Sequence, residues 1–289
     1  MPLLALVVVT AIWGVTFVQV KDAVEVYPLF AFLAVRFAIA SVTLAVPGTR
    51  RLRSLGRRGF AAGILLGTLL AAGYALQTAG LERTTPSSAG FITGLYVVIT
   101  PLVALLLFRE RIGPAVWVGV ALATIGFAML SDIRAGSAVG DLLVLGCAIA
   151  FGFQIPLTGR FAPRYDPLAL TLVQMLTALA GFAVIAAALG QIEIPRGWTV
   201  WAALLVTGIF ASALAYLIQT WAQRSISAAR TALVYAMEPV FAGFFGYVLA
   251  GDRLGALGWA GCGVILAGIA VSEPAAAGVL RFRFSARQS

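Results

Sequence analysis

Two ionisable side chains, Arg36 and Glu238, fall deep inside long apolar stretches of this 289-residue chain. A charge placed there is expensive, so such residues face an interior and often mark the path of a solute or a proton. A carboxylate can meet an ammonium group or exchange a proton, and a guanidinium can meet a carboxylate. The two can equally meet each other as a static pair, and the sequence leaves both arrangements open. What they do not form is a catalytic constellation. The chain has no histidine, which removes the usual general base near neutral pH and the commonest metal ligand. Its two cysteines, Cys147 and Cys262, lie in separate apolar runs and suggest neither a disulfide nor a zinc site. No span carries paired carboxylates and no P-loop is present, so no catalytic residue, metal or cofactor is assigned.

Uncharged groups add to these two. Tyr74 and Gln77 share one helix face, as do Tyr216 and Gln219. Thr93, Tyr96 and Thr100 follow helical spacing, and so do Thr231, Tyr235 and Glu238. Trp13 and Thr16 share a face in the first run, and the related part of the sixth carries Phe153 and Gln154. Tyrosine and tryptophan also form belts at membrane interfaces, but Tyr96 and Tyr235 lie too near mid-run for that. A cavity walled by aromatic rings with a few polar groups suits a small amphipathic solute. The candidate substrate-binding residues are therefore Trp13, Thr16, Arg36, Tyr74, Gln77, Tyr96, Phe153, Gln154, Tyr216, Gln219, Tyr235 and Glu238.

The elements that must position them follow from composition. The chain is 61% hydrophobic and only 11% charged, whereas a soluble domain is about 25% charged. A soluble globule is excluded. Ten apolar runs lie near 3–20, 29–46, 60–80, 87–107, 114–131, 140–158, 167–188, 199–221, 228–249 and 256–272. Each approaches the roughly 20 residues that a spanning helix needs, and none shows the short alternating strands of a barrel. The first run lacks a preceding basic residue and a following cleavage site, so it reads as a retained helix. Residues 274–289 read as a cytoplasmic tail. The net charge of +9 does not point to nucleic acid, because the basic residues sit between apolar segments. Ten spans place fourteen of them on the side of both termini and five on the other, with Arg36 inside a span. Positive charge collects in the cytoplasm, so both termini are expected there. Gly59, Gly63 and Gly67 form a double GxxxG pattern, which reads as close helix packing.

Sliding the chain by 142 residues sets Tyr74, Gln77 and Thr78 on Tyr216, Gln219 and Thr220. In the same register Arg111, Trp117, Gly119 and Gly126 fall on Arg253, Trp259, Gly261 and Gly268. Two copies of five spans each must have opposite orientation, because five is odd. The expected fold is thus an all-α membrane protein of ten transmembrane helices in two inverted five-helix repeats, 1–133 and 138–273. Pro101 sits one turn later than the position matching Pro239, so the two halves need not kink alike.

Ala11-Ile12-Trp13-Gly14, Arg36, Arg109-Glu110-Arg111, Glu238-Pro239 and Gly251-Asp252-Arg253 together resemble the drug/metabolite transporter superfamily in its EamA-domain form. Within it the chain looks most like the YddG-type exporters of aromatic amino acids. The resemblance covers roughly residues 3–273 and implies a bacterial inner-membrane exporter of small solutes. Alternating access around a central cavity is the expected mechanism, since inverted repeats recur in secondary transporters. The expected partners are a small-molecule solute, the lipid bilayer and, through Glu238, a coupled proton. The two Tyr/Gln clusters are expected near opposite mouths of the pathway. Drugs or other metabolites are the alternative solutes. An intramembrane enzyme or a noncatalytic scaffold is the alternative of another class.

Overall fold

The computed structural model describes residues 1–24, 26–81, 83–84, 86–130, 137–245, 247–248 and 255–272. Arg134, the Gly251-Asp252-Arg253 motif and the tail 274–289 lie outside these residues. Among the described residues the secondary structure is entirely helical. The chain forms α1 (Pro2–Val24), α2 (Leu29–Gly48), a 3-10 segment (Thr49–Leu55) and α3 (Gly56–Leu81). It continues through α4 (Pro86–Gly94), α5 (Tyr96–Phe108), α6 (Pro114–Leu130), α7 (Ala138–Phe161) and α8 (Pro167–Ala188). After α9 (Trp198–Gly208) a π-helical segment (Ile209–Leu214) leads into α10 (Ala215–Ala222). The last elements are α11 (Ala228–Tyr235), α12 (Glu238–Phe245) and α13 (Ala256–Ser272). Prolines 2, 86, 114 and 167 each occupy a first helical position, where the missing N–H costs nothing and the fixed φ suits the helix. Asp166 caps α8 by accepting from the Ala169 N–H at 3.0 Å.

Among the described residues, five helical stretches are long and apolar enough to cross a membrane. They are Leu29–Gly80, which runs through the 3-10 segment, Ala89–Phe108, Ala138–Phe161, Pro167–Ala188 and Trp198–Ala222. Pro2–Thr16, Pro114–Leu130 and Ala256–Ser272 are shorter apolar helices. Large apolar side chains such as Val42, Leu106, Val184 and Leu257 point outward at 63% exposure or more. The interior instead holds buried glutamines and threonines. So apolar an outer surface suits a lipid surround and would be ruinous in water.

Contacts between helix ends and loops define two ends of the bundle. At the arginine-rich end Arg51 bridges Asp166 at 3.0 Å, Arg160 lies over the Phe108 ring, and Arg230 donates to the Ser272 carbonyl. At the opposite end the Tyr27 hydroxyl donates to the Glu193 carbonyl at 2.6 Å and Thr84 donates to Asp141. Burial, with a smaller push from Glu193, raises the Tyr27 phenol above its ordinary value.

Small residues let the helices close on one another. A Cβ added at Gly119 would sit 2.6 Å from the Gly268 carbonyl, and one at Gly126 would sit 2.7 Å from that of Gly261. These two contacts run in opposite sequence directions, so α6 and α13 pack antiparallel. α3 leans on α8 through the double GxxxG: Gly63 abuts Val173 and Gly67 abuts the Gln174 backbone. The packing reading of that motif holds. α2 meets α8 through Phe37 and Phe182, whose ring centres are 5.1 Å apart. Gly14 brings α1 against the α12 backbone at Phe241 and Ala242.

Two helical rods are interrupted, and at matching places. α4 gives way to α5 at Leu95, and α11 to α12 at Ala236–Met237; Leu95 and Met237 are 142 residues apart. The prolines differ as expected, yet the breaks coincide. Pro239 lacks the N–H that would bond the Tyr235 carbonyl, which accounts for the second break. Pro101 lies inside α5 and does not account for the first. There Leu95 bonds Ile92 and Val98 bonds Leu95 in tighter 3-10 fashion, just after Gly94.

Candidate functional site

Six elements contribute one ring each to a central aromatic wall. Trp13 of α1 meets Tyr235 of α11 at 4.9 Å and Tyr216 of α10 at 5.9 Å between ring centres. Tyr74 of α3 meets Phe37 of α2 at 5.7 Å and Phe151 of α7 at 5.6 Å. The two groups join where the Tyr216 hydroxyl donates to that of Tyr74 at 3.3 Å. These tyrosines occupy equivalent positions of the two halves, so the halves touch at the same residue type. The expectation that both Tyr/Gln clusters lie near opposite mouths is therefore corrected for the tyrosines, which meet between the mouths. Only the glutamines, one turn further along each helix, diverge toward opposite ends.

Arg36 is buried at 6% exposure and held on its own ground. Its Nε donates to Ser212 Oγ at 2.7 Å and Nη2 to the Ala211 carbonyl at 3.4 Å. Its guanidinium carbon lies 5.3 Å from the centre of the Tyr74 ring and 5.9 Å from that of Phe37. The Trp13 indole N–H also donates to the Ala211 carbonyl, at 2.8 Å. One backbone carbonyl thus serves two side-chain donors from other helices. The π segment explains this, because a wider turn breaks the i to i−4 ladder and frees carbonyls for outside partners. Gly208, beneath it, lets α9 approach Ile39 and the Arg36 carbonyl closely.

Glu238 is half-buried at the first position of α12, where the helix N-terminus favours a negative charge. It interacts electrostatically with Arg36, Tyr96 and Tyr235. Among the described residues the ion pair within 4 Å is Arg51–Asp166, so Arg36 and Glu238 do not form the static pair that was one expectation. Tyr96 and Tyr235 are buried, and the Tyr235 hydroxyl and Thr100 Oγ1 have no partner among the described residues. Unsatisfied groups of this kind cost about 1–3 kcal/mol each, and a polar group of a ligand would relieve them.

The two ends of the bundle differ sharply. At the arginine-rich end Gln174, Gln154, Gln219 and Gln223 form one chain of amides. Gln154 donates to Gln174 at 3.4 Å, and Gln219 donates to both Gln154 and Gln223 at 3.1 Å. Gln223 closes the chain by donating to the Ile155 carbonyl at 2.9 Å. All four are at most 2% exposed. The buried threonines Thr171 and Thr220, on the helices that carry Gln174 and Gln219, bond each other at 3.0 Å. At the opposite end Gln77 donates to Thr93 at 3.3 Å, and both remain half-buried.

Several residues sit elsewhere than the spacing suggested. Gln154 belongs to the amide chain and not beside Trp13. The ring from its helix comes from Phe151, two residues before Phe153 and so on another face. Thr16 is buried, with its hydroxyl bonded to the Trp13 carbonyl at 3.0 Å. Ser212, Gln174, Gln223, Phe37 and Phe151 escaped notice in the sequence. Gln223 had a signal, since it lies four residues after Gln219. The others are single polar or aromatic residues in apolar runs, and only tertiary packing singles them out.

The EamA-like transporter family matches this chain twice, over residues 1–132 and 138–272. An uncharacterized transporter of Archaeoglobus fulgidus is 33% identical over 271 residues, covering 93% of this chain and 84% of that protein. YedA, an uncharacterized inner membrane transporter of Escherichia coli K12, is 27% identical and covers 91% and 87% respectively. A solved structure superposes with a TM-score of 0.83 over 95% of this chain and 98% of its own, at 19% identity, which shows a shared fold. On the double match and the archaeal relative together, the chain belongs to the EamA-like transporter family.

Proposed function

We propose that this transporter, which is not an enzyme, exports small amphipathic solutes by alternating access, foremost amino acids with aromatic or apolar side chains. The observation that carries the reading is the central wall itself. Six rings form one continuous wall, Arg36 lies against two of them, and among the described residues no ion pair ties Arg36 to Glu238. A zwitterion with an apolar side chain complements such a wall. Its carboxylate meets the guanidinium, its ammonium meets Glu238, and its side chain meets the rings. Glu238 is also the group positioned to exchange a proton with the coupled cycle.

The architecture supports ten spans in two inverted halves of five. Equivalent helices α6 and α13 pack antiparallel through the reciprocal contacts of Gly119 with Gly268 and Gly126 with Gly261. Two copies related in that way share a two-fold axis across the helices, lying in the membrane plane. The arginine-rich end is assigned to the cytoplasm, together with both termini. The inner membrane follows by analogy with YedA. In this orientation the amide chain seals the inner mouth while the Gln77–Thr93 side is the looser, outer one. The test is a solute panel on purified protein in liposomes, with and without a proton gradient. Uptake of aromatic or apolar amino acids, competed by one another, is the expected result. Flux of lipophilic drugs alone would overturn the amino-acid assignment, and no flux of any solute would overturn the mechanism.

A further inference from the structure

We propose that the turn between α2 and α3 holds one anionic phospholipid, its phosphate between Arg53 and Arg57 and an acyl chain along α3. Five arginines fall within nine residues here: Arg50, Arg51, Arg53, Arg57 and Arg58. Arg51 is engaged by Asp166. Among the described residues no carboxylate lies within 4 Å of Arg53 or Arg57. These two flank a groove of about 450 Å³ on the outside of the bundle. Its floor is apolar and continues down α3 through Phe60 and Ile64, which are 39% and 50% exposed.

The backbone makes this convergence specific. Gly56 has φ +58° and ψ −179°, a region essentially restricted to glycine. The chain turns there from the 3-10 segment into α3. Arg53 before the turn and Arg57 after it thereby line the same groove. Residues 57, 60, 61 and 64 then follow helical spacing down one stripe, about 10 Å long from Arg57 to Ile64. Charge at the head and an apolar track below it match a phospholipid lying against a spanning helix. A free phosphate ion would have no use for the track. Basic pockets at the cytoplasmic ends of spanning helices are physically suited to anionic headgroups.

The inference rests on the reading of the bundle as membrane-spanning, but its test requires neither transport nor orientation. Delipidated full-length protein in detergent is titrated with phosphatidylglycerol, phosphatidylcholine or water-soluble glycerol phosphate, and adducts are counted by native mass spectrometry. Phosphatidylglycerol should give one retained adduct, phosphatidylcholine a weaker one, and glycerol phosphate none. Arg53→Gln with Arg57→Gln should weaken phosphatidylglycerol on the order of tenfold, to the phosphatidylcholine level. Arg50→Gln with Arg58→Gln should leave the preference intact. Phe60→Ser with Ile64→Ser should weaken both lipids alike. All these side chains are exposed, and unchanged helical circular dichroism checks that each variant is folded. An undiminished preference in the Arg53/Arg57 variant would overturn the proposal, as would glycerol phosphate binding as well as the lipid. A liposome panel without flux would leave this result standing, and the converse also holds.

Discussion

The same four-residue pattern, tyrosine followed three positions later by glutamine, ends in two different environments. In the first half Gln77 bonds a single threonine and stays half-buried. In the second half Gln219 is the hub of four buried amides. The helix carrying the pattern explains part of the difference. α3 is unbroken from Gly56 to Leu81, whereas α10 follows the π segment Ile209–Leu214. That wider turn supplies the Ala211 carbonyl and Ser212 hydroxyl to Trp13 and Arg36. Partners explain the rest. Gln154, Gln174 and Gln223 have no glutamine counterparts around Gln77. A duplicated motif therefore does not yield duplicated surroundings: the glutamine is tied into a buried chain at one end of the bundle and held loosely at the other.

The largest effect is expected between the mouths. Glu238→Gln keeps the shape and removes the charge, so transport should fall by more than about tenfold, given roughly 1.5–3 kcal/mol for a bond to a charged group. The variant should remain folded, because Glu238 is not the partner that holds Arg36. Normal flux in liposomes would remove Glu238 from the mechanism. Next come the two glutamines. Gln219→Leu leaves the Gln154 and Gln223 oxygens without donors, costing about 1–3 kcal/mol for each buried group. It should lower thermal stability. Gln77→Leu removes one half-buried bond, about 0.5–1.5 kcal/mol, and should change stability little. Equal losses in the two variants would break the contrast between tied and loose mouths.

Ser212→Ala tests the π segment. It leaves the Arg36 Nε without its partner, so a loss of about 1–3 kcal/mol in stability is expected, with Ser212→Thr partly restoring it. The smallest effect belongs to the contact between the halves. Tyr74→Phe and Tyr216→Phe each remove the same hydroxyl bond, worth about 0.5–1.5 kcal/mol. The double variant should lose no more than either single one. Additive losses in chemical denaturation would mean that the two hydroxyls have separate partners.

Much of this arrangement was legible in the sequence, for physical reasons that also set the limit. Apolar runs interrupted by arginines are governed by bilayer thickness and charge, so helical segments fall on the ten expected runs. The double GxxxG of α3 was readable because glycine at that spacing has few uses other than close packing. Arg36 and Glu238 stood out because charge in an apolar run is costly. Whether they pair was not readable, since that depends on Ser212, a residue made available by a π turn with no sequence signature. Phe153 was singled out where Phe151 makes the contact, because the rotation of α7 is fixed by Gly73 and Tyr74 across the interface. The tyrosines meet because tertiary packing brings the two halves together at this residue, a contact that spacing along one helix does not reveal.

Labelling of the two glutamine positions tests the account most directly. In a background with Cys147→Ala and Cys262→Ala, a cysteine is placed by Gln77→Cys or by Gln219→Cys. Each is exposed to a membrane-impermeant maleimide from its own side, with and without the amino acid that the liposome panel selects. Without solute, position 77 should label readily and position 219 slowly. With solute cycling, labelling at 77 should fall and labelling at 219 should rise. Rates at both positions that ignore the solute, or that rise together, would contradict alternating access between a tied and a loose mouth.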